Sequence, residues 1–469
     1  MKSLKGSVVM RSLPGEKHTP FGLACKLEAK VILESSSLSR GRERYSVLLV
    51  EEAFRIVQER DQVMLISAKE RRPVGGLAED ILDVISEIAE RNAGTEYEFP
   101  FPAGGIGFLA FEFAAYCDKM GFPFREDPLN LPMAAFIFGH VYVIFDHYTD
   151  RIHLIGVNYG EDGDISLEKA LDRTEAKIGD MNFNYMMEHS ESYPAIIAST
   201  KEESEAYKSA VSDVRQEIIK GMLLQAVPSR RLEIATEMPA IDAYRVLRGS
   251  NPSPYQFYLD FGSYQLFGAS PEVHVKVVNG RVFLRPIAGT RRRGLNEAED
   301  RALAAELLSD EKERAEHMML VDLGRNDLGR VCKVGSVEVS ELMTIEKYSK
   351  VMHIVSQVEG DLAAGKCAAD VIRATFPAGT VSGAPKIQAV KTVAGIEKMP
   401  RSFYAGLVGY LEPGGSLDTC ITIRSALKKE NRLFLQAGGG IVYDSSPDRE
   451  LEETNEKLRA LAMSAGVEL

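Results

Sequence analysis

Cysteine is scarce in this chain of 469 residues. The five that occur (Cys25, Cys117, Cys332, Cys367 and Cys420) are odd in number, scattered, and never form a C-x-x-C pair. That excludes a zinc site readable from spacing and argues against a disulfide framework, so a reducing, cytoplasmic setting is expected. Their contexts, "ACK", "YCD", "VCK", "KCA" and "TCI", also lack the glycines of a nucleophile elbow. Long apolar runs are missing: nothing nears the ~20 residues of a membrane span. The opening "MKSLKGSVVMRSLPGEKH" has a basic flank but no apolar core long enough for a secretory signal. Basic charge is outweighed, with 56 Lys and Arg against 68 Asp and Glu, a net charge of -12 and a pI near 5.4. "TRRRG" at 290–294 is the one dense basic cluster, so no nucleic-acid and no membrane partner is expected. G-x-S-x-G elbows, Walker motifs, dinucleotide fingerprints, short repeats and low-complexity tracts do not occur.

What is present begins with a hydrophobic content of 45%, ample for a large core. Residues 1 to about 180 mix β-rich runs such as "YSVLLV" and "GHVYVIFDHYTDRIHLIGV" with the helical "LAEDILDVISEIAERNAG". The weakly periodic "MNFNYMMEHSESYPAIIAST", 181–200, reads as a linker, giving an expected division into 1–195 and 196–469. "KEESEAYKSAVSDVRQEIIKG" then reads as an amphipathic helix ending at Gly221. "VHVKVVNGRVFLRPIAGT" predicts a hairpin, because Asn279-Gly280 suits a tight turn between alternating runs. Asn296 with Glu299 resembles a capping box. Ser446 followed by Pro447 opens a last helix.

Two of these helices carry the chemistry. In "ERAEHMMLVDLGRND", 313–327, a helical period sets Glu313, Glu316, Leu320 and Leu323 on one face. An apolar stripe headed by two carboxylates is costly unless a cation or strong donors meet them. The last helix repeats the spacing with Glu450 and Glu453, and Lys457 on the same face. Glu pairs on helices are most often solvated, but two such pairs can make an oxygen-rich site, and all-oxygen ligands select a hard cation, Mg²⁺ first. A di-iron bundle wants Glu-x-x-His from two helices, whereas His317 follows Glu316 directly.

Other stretches supply anion holders. "GTVSGAP", 379–385, leads a Gly-rich turn into "KIQAVKTVAG" and offers backbone N–H groups. "LQAGGGIVYDSS" sets Gly438, Gly439 and Gly440 after a strand, where backbone can approach a ligand or simply end the strand. Arg424 stands among strand apolars in "DTCITIRSAL", and a half-buried arginine implies an anionic partner. His353 lies among apolars in "YSKVMHIVSQVEG", where a core histidine is more often structural than catalytic. Unaided, the residues indicate an enzyme acting with magnesium on a small polycarboxylate.

Taken together, "LLQAVPSRR", "SNPSPYQFYL", "LFGASPE", "PIAGTRRRG", "EHMMLVDLGRNDLGRV", "YSKVMHIVS", "GTVSGAPK", "LDTCITIRSAL" and "QAGGGIVYDS" resemble the chorismate-binding enzymes, most closely their anthranilate synthase component I branch. The match is dense from about 219 to 460 and looser before it, through "VILESS" and "GGIGFLAFEF". One departure is "TNEK", where the family pattern has "x-N-K"; Lys457 keeps its place. The resemblance implies an α+β fold of two large, mainly antiparallel β-sheets packed as a sandwich with helices outside. Residues 1–195 form the N-terminal region, 196–469 the chorismate-binding catalytic domain, and the N-terminal segment contributes to the same layers.

It also implies roles. Mg²⁺ is held by Glu316 and Glu453, with Glu313 and Glu450 nearby. Glu272 is the general acid for the 4-hydroxyl of chorismate, Thr380 lies close to the ring, and His353 is placed for loss of pyruvate. Arg424 and Tyr404 take the enolpyruvyl carboxylate, helped by Gly289, Thr290 and Gly438 to Gly440, with Lys457 also at the substrate. Relatives that add water place a lysine base where this chain has Gln225. Relatives on the folate branch often carry a lysine in "PIKGT", where this chain has Ala288. The expected reaction is therefore chorismate and ammonia to anthranilate and pyruvate, in tryptophan biosynthesis. Aminodeoxychorismate synthase and a non-catalytic amino-acid sensor are the alternatives. The recognised segments leave no expected room for a glutaminase centre, so a glutamine amidotransferase subunit is the expected partner. "VILESS" and "NPSPYQF" resemble the tryptophan feedback site, pointing to Glu34, Ser35, Pro254 and Gln256.

Overall fold

The computed structural model describes residues 6–469 apart from 38–40, 43, 77–78, 93–96, 119, 124, 162–164, 181, 184–192, 199–200 and 349–350. Most of the expected linker at 181–200 lies outside the described residues. Strands and helices alternate irregularly along the chain, and every pair of neighbouring strands in the large ladder is antiparallel. The fold is α+β.

Among the described residues, hydrogen bonds join 21 strands into one network, but two long strands divide it. Tyr45–Glu59 and Ala134–Asp146 pair along their whole lengths, with register shifts between Leu49 and Phe54. Their halves beside Tyr45 and Asp146 belong to a sheet that continues through Val31–Glu34, Tyr255–Asp260, Gln265–Ser270, Ser425–Lys429, Arg432–Gly438 and Ser229–Thr236. Their other halves open a sheet that runs through Ile106–Leu109, Leu407–Leu411, Leu417–Ile421, Val273–Val278, Arg281–Leu284 and Val351–Asp361. Bulges bend a strand and raise its twist, which lets one ribbon serve both layers. Each sheet takes strands from both sides of residue 195.

Alternation along the strands separates two cores. Val31, Leu49, Phe257, Leu259, Leu266 and Leu427 point into the large core shared with Phe108, Leu407, Val275 and Val358 of the second sheet. Their chain neighbours Ile32, Leu48, Tyr258, Phe267 and Ala426 point to the opposite face, under helices that include Ala240–Ser250 and Pro447–Ser464. A one-residue slip would exchange these sets, and each buried Leu, Ile or Phe contributes about 1.5–3 kcal/mol.

Local signals behave as their chemistry dictates. Asn279 and Gly280 take φ 51° and 76° at the tip of the hairpin Val273–Val278 / Arg281–Leu284. Asn296 caps Glu297–Ser309 by accepting from the Glu299 N–H at 3.0 Å. The Glu299 carboxylate turns to the Leu295 N–H at 2.7 Å instead of closing a full box. Ser446 caps Pro447–Ser464 and accepts from the Arg449 N–H.

Candidate active site

The two glutamate-bearing helices, Glu311–Gly329 and Pro447–Ser464, face one another across the end of Arg432–Gly438. Asp310 caps the first by accepting from the N–H groups of Lys312 and Glu313 at 3.0 and 3.2 Å. Glu316 Oε1 accepts from Gln225 Nε2 at 2.9 Å. Burial pushes the Glu316 carboxyl up from its usual range, and the negative charges of Glu313 and Glu453 push it further, against Gln225 and Lys312. Burial likewise raises Glu450, opposed by Ser445 and reinforced by Glu453. Glu450 Oε2 is buried without a hydrogen-bond partner among the described residues. Glu453 pairs with Lys457 at 2.7 Å, and Glu313 pairs with Arg291 at 3.0 Å.

A hard divalent cation fits this donor set. The donors are carboxylates; burial, reinforced by a neighbouring carboxylate, raises Glu316 and Glu450, and one buried carboxylate oxygen has no hydrogen-bond partner among the described residues. No group of three or more His, Cys, Asp or Glu side chains among the described residues is already gathered for a metal. Mg²⁺ does not need one, because it is commonly held by one or two carboxylates plus water and substrate oxygens.

The glycines between the helices lie against candidate site side chains. A Cβ at Gly438 would come within 3.1 Å of the Tyr404 hydroxyl. At Gly439 it would meet Glu450 Oε2 at 2.8 Å and Tyr207 Oη at 3.2 Å, and at Gly440 Gln225 Nε2 at 2.4 Å. Lys457 Nζ donates to the Gly438 carbonyl at 2.8 Å. Gly289 takes φ 74° at a bulge between Ala288 and Thr290, and a Cβ there would stand 3.2 Å from Glu313 Oε2.

Glu272 ends the turn after Gln265–Ser270 and is buried. Burial pushes its carboxyl up to about 8, while Thr380 and Lys457 favour the ionised form. A carboxylic acid that stays protonated near neutral pH can donate a proton. Thr380, in the short helix Gly379–Ser382, keeps Oγ1 buried without a hydrogen bond of normal geometry among the described residues. His353 lies in Val351–Asp361, its Nδ1 3.0 Å from Thr290 Oγ1 and 3.3 Å from the Gly289 carbonyl. Burial lowers it to about 4, which keeps the imidazole neutral. Arg424 adopts φ 50° and is partly buried. Burial lowers its pKa from the ordinary arginine value, with Tyr404, Glu453 and Glu456 favouring its charge. A guanidinium so placed is set to receive an anion.

The second group of residues is also brought together. Glu34 and Gln256 stand opposite each other in the ladder joining Val31–Glu34 to Tyr255–Asp260, with Ser35 and Pro254 adjoining in sequence. Arg248 grips Glu34 through two hydrogen bonds of 2.8 and 2.6 Å, and Tyr244 donates to it at 3.1 Å. Gln256 Nε2 donates to the Arg248 carbonyl at 3.0 Å.

Sequence reasoning missed Arg401, which is 1% exposed. Its guanidinium donates to Glu397 at 2.8 Å, to the Val381 carbonyl at 2.9 Å and to the Val227 carbonyl. It thereby ties the Thr380 segment to the Gln225 segment beside Tyr404. It also missed Lys386, whose Nζ meets Asp327 at 2.6 Å and the Thr375 carbonyl at 2.9 Å, tying the far end of the Glu316 helix to the end of the helix Ala368–Thr375, which precedes the Thr380 segment. Lys386 closes "GTVSGAPK", so that motif held a signal; Arg401 offered none in a single sequence.

The chorismate binding enzyme family model matches residues 37–463. This chain belongs to the chorismate-binding enzymes. Among curated relatives it is 57% identical over 463 residues to anthranilate synthase component 1 of Spirochaeta aurantia, covering 98% of this chain and 96% of that protein. It is 44% identical over 368 residues to anthranilate synthase component 1 of Pseudomonas aeruginosa, covering 77% and 74%. The crystal structure of anthranilate synthase component I from Streptococcus pneumoniae superposes with a TM-score of 0.79 at 36% identity, covering 89% of this chain and 92% of that one. MenF, the menaquinone-specific isochorismate synthase of Escherichia coli, shares the fold at a TM-score of 0.72 and 17% identity over 98% and 95% of the two chains.

Proposed function

We propose that this chain is the chorismate-converting component of an anthranilate synthase, forming anthranilate and pyruvate from chorismate and ammonia. The observation that carries the reading is Glu272: a buried carboxyl raised to about 8, in a site that also holds Arg424 and two carboxylate pairs.

The chemistry follows from the residues. Arg424, with the Tyr404 hydroxyl, takes the enolpyruvyl carboxylate, and the backbone at Gly438 to Gly440, Gly289 and Thr290 closes around it. Lys457, fixed by the Gly438 carbonyl, adds a positive charge at the substrate. Glu316 and Glu453 would hold Mg²⁺, with Glu313 and Glu450 acting directly or through water. When bound, the ion supplies a Lewis acid and template for the ring carboxylate. Glu272 gives its proton to the 4-hydroxyl, which departs as water while ammonia forms the C2–N bond, and the new ammonium releases one proton. Gln225 cannot deprotonate water, and ammonia needs no such base, being a nucleophile when neutral. Thr380 flanks the ring. His353, neutral as burial makes it, accepts the C2 proton as the C3–O bond breaks and the ring becomes aromatic; the enolpyruvate released takes up one proton at its methylene carbon to become pyruvate. Ala288 cannot act as the covalent lysine of the folate-branch relatives.

Ammonia comes from a glutamine amidotransferase subunit, and tryptophan binds around Glu34, Ser35, Pro254 and Gln256. Incubation with chorismate, an ammonium salt and Mg²⁺, with the product identified by fluorescence and mass, tests the reading. Anthranilate is the expected product. Aminodeoxychorismate, isochorismate or unreacted chorismate overturns it.

A further inference from the structure

Gln225 is 4% exposed and belongs to a two-residue ladder in which Gln225 pairs with Ala384 and Ala226 with Gly383. Its backbone is thereby fixed, and its side chain reaches across to the helix Glu311–Gly329. Nε2 donates to Glu316 Oε1 at 2.9 Å. An ionised carboxylate only accepts, so this contact sets which end of the amide faces Glu316. The path of the amide runs past Gly440, where a Cβ would lie 2.4 Å from Nε2. No positive φ is imposed at Gly440, so the reason for glycine there is space.

We propose that Gln225 is a positioning residue for the metal carboxylate Glu316, and that Gly440 is glycine in order to admit the Gln225 amide. The proposal rests on the reading of this site as a magnesium-dependent chorismate site. A partner that hydrogen-bonds a ligating carboxylate holds its lone pairs on the metal, and losing such a partner costs about 10- to 100-fold in metal affinity. A neutral amide does this without competing with the cation, as a lysine at 225 does.

The test is direct metal binding to the full chain, by Mn²⁺ electron paramagnetic resonance and Mg²⁺ calorimetry, with and without chorismate. Gln225→Met, of similar shape and without the donor, is expected to weaken binding by about 10-fold or more while leaving the melting temperature unchanged. Gly440→Ala should do the same by displacing the amide. In a Gln225→Ala background the displaced group is gone, so adding Gly440→Ala should cost nothing further; a general packing fault at Gly440 would persist there. Gln225→Met affinity within about twofold of the unaltered chain overturns the proposal, against the 10-fold expected. So does an equal Gly440→Ala loss in both backgrounds. Failure to form anthranilate, measured on the unaltered chain, counts against the function alone; failure of the unaltered chain to bind either metal sinks both.

Discussion

Lys457 Nζ stands 2.7 Å from Glu453 Oε1 and also donates to the Gly438 carbonyl at 2.8 Å. A single ammonium thus links a candidate metal carboxylate to the backbone expected at the substrate. A divalent cation held by Glu453 would share that carboxylate with the Lys457 ammonium, whereas the hydrogen bond that Glu316 accepts comes from the neutral Gln225 amide. Glu316 is therefore the less contested of the two candidate ligands. Chelation should abolish turnover and excess Mg²⁺ restore it. Glu316→Gln should lower kcat by about 100-fold or more without unfolding the chain. Full activity of that variant in the presence of chelator would remove magnesium from the mechanism.

Glu272 makes a prediction in two directions of pH. Its carboxyl is raised to about 8, burial being the largest cause. As a general acid it must be protonated, so kcat/KM for chorismate, at a fixed concentration of free NH3, should fall as pH rises through about 8. Glu272→Gln should cost about 10²- to 10⁴-fold in kcat. For stability, the folded state holds the proton more tightly than the unfolded chain. The contribution is then fully present below the ordinary glutamate value and is lost as pH rises through about 8. Glu272→Gln cannot ionise, so its melting temperature relative to the unaltered chain should climb across that window. A flat difference between acidic and alkaline pH would mean the carboxyl is not raised.

These positions were readable to different degrees. Asn279-Gly280, the Asn296 cap and the Ser446 cap depend on a few adjacent residues, and the structure has each of them. The glutamate pairs were legible as pairs because a helix sets i and i+3 side by side. Their partners were not. Arg291 on Glu313, Gln225 on Glu316 and Arg401 between Val227 and Val381 are contacts between segments distant in sequence. The continuous ladder through Tyr45–Glu59 and Ala134–Asp146 was equally hidden, because local alternation fixes which face a residue occupies but not which strand lies beside it.

Gln225 also predicts the outcome of giving the site a base. Gln225→Lys places an amine where relatives that hydrate chorismate carry one, and should yield traces of isochorismate by chromatography. The rest of the pocket, Ala288 included, is unchanged, and the new ammonium meets Glu316, so anthranilate should remain the main product at a reduced rate. If the unaltered chain already makes isochorismate as its principal product, the argument from Gln225 is wrong.

Regulation is tested at the ladder of Glu34 and Gln256. Tryptophan can oppose chorismate from there only by favouring an arrangement in which the catalytic site is less competent. By linkage, chorismate must weaken tryptophan by the same factor. Calorimetry should show this reciprocity, and Ser35→Phe should weaken tryptophan binding by filling the space beside Glu34 while sparing turnover. No tryptophan binding at millimolar concentration would favour the folate branch.

The nitrogen source follows from the thiols. Releasing ammonia from glutamine takes a thiolate nucleophile, activated by a base or a lowered pKa. Burial instead raises the thiols of Cys25, Cys117 and Cys420, and pushes Cys332 up to about 11. Cys367 is exposed and sits at the N-cap of the helix Ala368–Thr375, where its Sγ donates to the Asp370 carboxylate at 3.5 Å and no histidine base stands beside it among the described residues. The isolated chain should therefore make anthranilate from ammonium salts, faster as rising pH frees NH3 until Glu272 loses its proton, and none from glutamine in ammonium-free buffer. Adding a separate glutaminase subunit should restore glutamine use. Sustained anthranilate formation by the isolated chain from glutamine alone would require an amidotransferase centre built from these five cysteines, and would overturn the assignment of ammonia delivery to a partner.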